Sequence, residues 1–577
     1  MYCCEPHQGG YPQIAVRRNG GTATLNRTNF DAKIMKRVLL IIAAAAALMS
    51  SCCNNGGKTG NWDDKDLLQI GDGIAIAETQ YGKIQGFIYK DVYTFLGVPY
   101  GAPTGGENRF MPPVAPEKWE GIRPAVFWGN SAPQDVEGWF TNTISTFLDH
   151  WNYYDISEDC LNLNVWTPGL DDKKRPVMVW FHGGGYSSGN SIEHDEYHGN
   201  NFAREENAVF VSVNHRLNAF GFSDLSAYGE KYAASGNVGV LDLVASLQWV
   251  KNNIANFGGD PSNITIMGQS GGGAKVCTVL AMESAKGLVN KAVALSGSAT
   301  RAMDQELSRA LAACLLKEAG LSEKEVDKLQ QMPWKDYLAL SQKAQARFIR
   351  ENADKGSAMR FGFAPVEDGV IIPKGGYFQP NGHAANIPVI FSVTNAERSV
   401  SMNKPELEDV DKAGAIEYFK PRYGDKAASI IDECEKAFPD MKPIEWINYL
   451  DWGMRPNQIA AQNAKAAQGG AVYSAIFAYN PPVFNGRLRA FHTMDIAFWY
   501  QNTDMMYSHT GGGPEPRALA TKMGKTLKHF METGDPNCGA LPQWPKYSEE
   551  NGSLMWLDKD SKVLSKPDEG ILNAIAR

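Results

Sequence analysis

The stretch Asn263-Ile-Thr-Ile-Met-Gly-Gln-Ser-Gly-Gly-Gly-Ala274 constrains this 577-residue chain more than any other. A β-branched apolar run stops at Gly268, Ser270 follows, and three glycines lead into helix-forming sequence. Strand, sharp turn and helix in that order can hold a serine hydroxyl out at the end of a sheet, and only glycine tolerates the crowding around such a turn. The G-x-S-x-G pattern alone is weak in a chain with 57 glycines, and Gly185-Tyr-Ser-Ser-Gly189 matches it too. That second match also follows an apolar run, Val177–Phe181, but the polar Asn190–His198 comes next, with no helical period to aim a dipole at Ser187. Context therefore selects Ser270.

Apolar strand-like runs alternate with helical periods around this point. Val177–Phe181, Ala208–Val213, Ala292–Leu295, Ile387–Val393 and Ala471–Tyr479 read as strands, several of them buried on both faces. Leu241, Val244, Leu247, Val250, Ile254 and Phe257 mark one face of a helix that Gly258-Gly259 stop, with Asp260-Pro261 turning into the Ser270 strand. Residues 303–350 read as charged amphipathic helices with a capping box at Ser322–Glu325. The pattern predicts a doubly wound, mostly parallel α/β sheet with helical insertions around a cleft.

A serine hydroxyl needs a base, and the base needs a carboxylate that fixes its tautomer. Glu397 follows the strand-like run 387–393, and His492 follows 471–479 through a loop. Glu367, Asp368 and Asp495 compete for the acid. His509, in a glycine-rich stretch, and His529, in the amphipathic run Arg517–Phe530, compete for the base. Backbone amides of the His182-Gly-Gly-Gly185 run and of Gly271 are candidate donors for a developing oxyanion.

The N-terminus reads as targeting sequence. Lys36-Arg37 precede the apolar run Val38–Leu48, and Met49-Ser-Ser-Cys52 follows. The run is short of the roughly 20 residues that span a bilayer, and residues 35–52 are expected to be an export signal ending in a lipobox-like Cys52. Residues 1–34 are expected to be untranslated or absent from the mature protein, with translation beginning at Met35. Residues 53–70 are expected to form a tether, and 71–577 a single catalytic domain. The formal charge of −8 comes with no basic stripe, which excludes nucleic acid as an expected partner. Beyond the tether the cysteines are Cys160, Cys277, Cys314, Cys434 and Cys538, with no C-x-x-C spacing, so neither a disulfide framework nor a zinc site is suggested. His194 and His198 are four apart in polar surroundings without a further ligand motif. No cofactor or metal is expected, and oligomeric state is not legible.

Taken together, Phe95–Gly101 with Asn108-Arg-Phe110, Ser157–Trp166, His182–Tyr186, Val213–Leu217, Gly239–Asp260, the Ser270 turn, Phe363–Gly369 and Thr533–Asn537 resemble the type-B carboxylesterases, over most of residues 74–560. That family includes para-nitrobenzyl esterases and cholinesterases. The resemblance implies an α/β-hydrolase fold, a small-molecule ester substrate, Ser270 as nucleophile, Glu397 as acid, His492 as base, and the amides of Gly184, Gly185 and Gly271 as oxyanion donors. It also makes Asp368 structural. Gln269 and Gly271 stand where the family usually has Glu and Ala, and Arg398 where it has Gly, so Arg398 could pair with Glu397. The family's disulfide partner for Cys160 is replaced by alanine within Ser131–Gln134, which implies that the aromatic loop 135–157 is not pinned by a bridge. The expected protein is an exported, lipid-anchored serine esterase of unknown natural substrate. A non-catalytic binding protein on the same fold and an esterase for acylated glycans are the alternatives.

Overall fold

The computed structural model describes residues 67–136, 143–353, 362–451 and 453–576. The expectations for 1–34, the signal at 35–52, Cys52 and most of the tether lie outside these residues.

Among the described residues, fourteen strands form two sheets. A small sheet joins β1 (Ile76–Thr79), β2 (Gly82–Gln85) and β5 (Ile122–Pro124). The main sheet has eleven strands: β3 (Phe87–Tyr89), β4 (Val92–Pro99), β6 (Asn162–Thr167), β7 (Arg175–Phe181), β8 (Val209–Val213), β9 (Gly259–Gln269), β10 (Lys291–Leu295), β11 (Val389–Thr394), β12 (Val472–Phe477), β13 (Ser553–Leu557) and β14 (Lys562–Ser565). Their order is β14-β13-β12-β11-β10-β9-β7-β8-β6-β4-β3. From β8 to β13 the pairings are parallel, and the outer pairs are antiparallel. The strand-like runs of the sequence fall on this parallel centre, where β7, β8, β10, β11 and β12 are buried at every position. Helices on both faces remove that apolar surface from water, and this burial is the main stabilising term.

Several local expectations need correction. The helix Val238–Asn253, prolonged by a 3₁₀ turn Ile254–Phe257, leaves Leu241 and Val244 half-buried and buries Val240 and Leu243. It is covered on more than one side, and its Asp242 takes a buried bidentate ion pair from Arg216, at 2.6 and 2.8 Å. A single amphipathic stripe is too narrow a description of such a helix. Gly258 caps it with φ 73°, and β9 already begins at Gly259, so Asp260-Pro261 lie within the strand. The capping box at Ser322 opens only a 3₁₀ turn, Glu323–Glu325. At the end of the segment 53–70, Gln69 and Ile88 exchange two backbone hydrogen bonds of 2.9 Å.

Candidate active site

The parallel topology sends the ends of β7, β9, β11 and β12 toward one rim of the sheet. Ser270 stands between β9 and the helix Gly271–Ala281, with φ 58° and ψ −123°. That conformation costs a non-glycine residue about 1–3 kcal/mol, and it persists because the surroundings over-determine it. Ser270 donates its amide to Leu295 O (2.8 Å), and its own carbonyl accepts from Ala274 N (3.2 Å). A Cβ on Gly272 would sit 2.0 Å from Phe181 O, and one on Gly271 would sit 2.1 Å from Gly185 O. The strand end, the turn and the 183–185 loop are packed backbone against backbone.

Loop 182–185 leaves β7 with left-handed backbone at Gly184 (φ 74°) and Gly185 (φ 64°). Among the described residues, the amides of Gly184, Gly185 and Gly271 donate no hydrogen bond. Gly185, Ser270 and Gly271 line a cleft of about 660 Å³, together with Phe363, Met454 and the segment Ser296–Arg301. A second chamber of about 410 Å³ shares Tyr186, Ala274, Ala299, Arg301 and Ala364 with it and is otherwise walled by Ala302, Met303, Asp304, Leu307, Pro365 and Tyr377. Apolar space beside a few oriented polar groups suits a small organic ligand.

Glu397 and His492 meet at the same rim. His492 Nδ1 lies 2.6 Å from Glu397 Oε2, while Glu397 Oε1 accepts from Thr394 N at 2.9 Å. The two loops are also tied by backbone bonds, His492 N to Glu397 O (3.2 Å) and Ala396 N to Ala490 O (3.0 Å). Thr493, a β-branched residue, has φ 81° beside the imidazole, a strained position held by this packing. Gln269, the residue before Ser270, brings its side-chain amide nitrogen to 3.3 and 3.2 Å from the two ring nitrogens of His492. The residue type that departs from the usual glutamate thus touches the base candidate directly.

The competing candidates have other partners. Asp368 accepts from the amides of Val370, Ile371 and Ile372 and from Asn237 Nδ2, a structural knot. Glu367 pairs with Arg301 at 3.1 Å. Asp495 is fully buried, and burial, then the charges of Glu397 and Glu196, push its carboxyl well above the usual range. His529 lies on the helix Pro514–Thr533. His509 is not in an open glycine loop: it is buried on the short helix Tyr507–Thr510, 3.3 Å from Asp149 and 3.6 Å from Glu196. Arg398 is exposed and reaches Asp451 at 3.3 Å.

Cys160 is a buried free thiol. The described part of the loop after Gln134 is nonetheless held. Asn152 N donates to Glu193 O (2.7 Å), Tyr153 Oη to Glu193 Oε1 (3.1 Å), Asn152 Nδ2 to Asp195 Oδ1 (2.9 Å), and Ser131 bridges Ile156. Hydrogen bonds to segment 193–195 thus fasten the described part of a loop that no bridge pins. Those partners are acidic residues that sequence alone gave no reason to single out. His194 is buried and hydrogen-bonded to Glu196 at 3.2 Å. Burial opposes its positive charge, but Glu196, Asp149 and Glu193 outweigh it and raise its pKa to about 9. Among the described residues no group of three or more His, Cys, Asp or Glu could hold a metal ion.

Residues 74–434 and 446–573 match the family model described as the carboxylesterase family. The para-nitrobenzyl esterase of Bacillus subtilis (strain 168) is 32% identical over 517 residues, covering 85% of this chain and 96% of that protein. The phenmedipham hydrolase of Pseudarthrobacter oxydans is 29% identical, covering 85% and 98%. Among solved structures, an esterase from anaerobic Clostridium hathewayi that can hydrolyse aliphatic aromatic polyesters superposes with a TM-score of 0.75 at 33% identity, covering 88% of this chain and 99% of the other. A Geobacillus stearothermophilus carboxylesterase superposes with a TM-score of 0.70 at 30% identity, covering 87% and 99%.

Proposed function

The chain belongs to the carboxylesterase family, carboxylic ester hydrolases of the α/β-hydrolase fold, and from that premise we propose that it cleaves its esters through Ser270, His492 and Glu397. His492 Nε2 takes the Ser270 hydroxyl proton as Oγ attacks the acyl carbon. Glu397 holds Nδ1 protonated and stabilises the imidazolium. The amides of Gly184, Gly185 and Gly271 receive the oxyanion, a type of contact worth about 3–4 kcal/mol in the barrier. As the tetrahedral adduct collapses, the imidazolium proton passes to the leaving alkoxide. Water, deprotonated by His492, then attacks the acyl-serine and releases the acid. The observation that carries this reading is the 2.6 Å contact between Nδ1 and Oε2, in a ring that also touches the neighbour of Ser270.

The cleft and its side chamber favour esters with a compact aryl or short alkyl group on either side of the carbonyl. One methylene more or less discriminates by only about 1–3 kcal/mol, so breadth is expected. Short para-nitrophenyl esters should be turned over, and Ser270→Ala should remove at least 10³-fold of kcat, on the order seen for lost nucleophiles. A folded Ser270→Ala protein with unchanged turnover contradicts the assignment.

We also propose that the export signal is cleaved between Ser51 and Cys52 and that Cys52, now the first residue, carries a lipid tethering the enzyme to a membrane. Support comes from the basic, apolar and small-residue order of Lys36–Cys52. Mass spectrometry of the cell-derived protein should find the mature chain starting at an acylated Cys52. A mature chain that keeps residues before Cys52, or an unmodified Cys52, would contradict it, and peptides from 9–26 would contradict translation from Met35.

A further inference from the structure

The helix after Ser270 reads Gly271-Gly-Gly-Ala-Lys-Val-Cys-Thr-Val-Leu-Ala281, apolar apart from Thr278 and one lysine. Lys275 is completely buried, and among the described residues it forms no ion pair within 4 Å. An ammonium taken out of water costs several kcal/mol unless something compensates it, and methionine or leucine would pack there without that cost. The compensation is a pair of hydrogen bonds to backbone carbonyls: Nζ donates to His182 O at 2.8 Å and to Gly183 O at 3.3 Å. Both carbonyls belong to the glycine loop.

We infer that Lys275 is a positioning residue that aims the oxyanion donors, an inference resting on the assignment of Ser270 and Gly184 above. The Gly183 carbonyl and the Gly184 amide share one planar trans peptide, so they point in opposite directions. A cation pulling the carbonyl downward into the helix turns the amide hydrogen outward, toward the cleft. A charge-assisted bond to that carbonyl also polarises the peptide and strengthens the amide as a donor. Lys275 touches no substrate atom in this scheme and acts wholly through the loop.

The groups facing Nζ are few. His182 and His215, at the ends of β7 and β8, stack with centroids 5.1 Å apart. Burial, followed by the Lys275 charge, drives both imidazoles far below their ordinary range, so they stay neutral. The Tyr186 ring lies 6.0 Å from Nζ. Glu193, on the segment that fastens the 150–157 loop, acts on Lys275 through its charge. Burial brings the Lys275 ammonium down to about 7, with Glu193 pulling the other way.

The test compares wild type and Lys275→Met on a short para-nitrophenyl ester between pH 6 and 9.5, beside a trifluoromethyl ketone inhibitor. The inference predicts kcat about tenfold lower with KM within about twofold, and ketone affinity falling in step with kcat/KM. It also predicts a decline in wild-type kcat above neutrality, as the ammonium loses its proton, that is missing from the variant. If Lys275→Met does not fold, Glu193→Gln serves: removing that anion should move the wild-type decline to lower pH. A Lys275→Met enzyme with wild-type kcat, ketone affinity and pH profile, altered only in thermal stability, overturns the inference and leaves the Ser270 mechanism standing. An unchanged profile in Glu193→Gln also counts against it. A wild type with no esterase activity would instead overturn the proposed function itself.

Discussion

At the residue scale, the proposed chemistry depends on how tightly one carboxylate is held. Glu397 spends one oxygen on the Thr394 amide and the other on His492 Nδ1. Glu397→Gln keeps both contacts in shape but presents an NH₂ group to Nδ1, which forces the wrong imidazole tautomer. The expected result is a loss of kcat on the order of 10⁴ with the fold intact, as for such a change in a serine protease. Steady-state kinetics beside circular dichroism would check it, and a loss under tenfold would mean that another acid, such as Asp495, serves the base. Residue types and their order made Ser270, Glu397 and His492 candidates, and the family resemblance made Asp368 structural, but for Glu367 and Asp495 only the contacts speak. Lys275 left a signal that could have been used: a lone charged side chain inside an apolar helix.

At the scale of elements, the turn around Ser270 is a three-way contact of strand, helix and glycine loop. The order of apolar run, serine and glycines was enough to foresee strand, turn and helix. It could not reveal that Gly272 lies against Phe181 O, because that proximity joins segments ninety positions apart in the chain. Gly272→Ala places a methyl 2.0 Å from a carbonyl oxygen that has nowhere to go. The change should destabilise the protein by about 3 kcal/mol and displace β7 from the helix, lowering activity even where the chain still folds. Urea denaturation measures the first effect, and a midpoint equal to wild type would show that the strand end yields. The wider burial of the helix Val238–Asn253 and the hydrogen bonds that hold the described part of the loop 135–157 were not legible for a related reason. Burial on a second side and hydrogen bonds to acidic residues of another loop are tertiary facts that no local period encodes.

At the scale of the molecule, the parallel centre of the main sheet was legible because strands buried on both faces read as unbroken apolar runs. The outlying strands were not: β1, β2, β3, β5 and β14 are short, partly exposed and mixed in character, so they carry no such pattern. The architecture brings β7, β9, β11 and β12 to one rim, where His492 touches both Glu397 and Gln269, the neighbour of Ser270, and the proposed mechanism needs residues 184, 270, 397 and 492 to converge there. That convergence is the central claim, and active-site labelling reaches it most directly. The purified enzyme should be incubated with a fluorophosphonate, digested, and its adduct mapped by mass spectrometry. The account predicts one phosphonyl group per chain, on the peptide bearing Ser270, and slow or absent labelling in His492→Ala. A stoichiometric adduct on any other serine, Ser187 included, or an unlabelled enzyme that still hydrolyses esters, would contradict it.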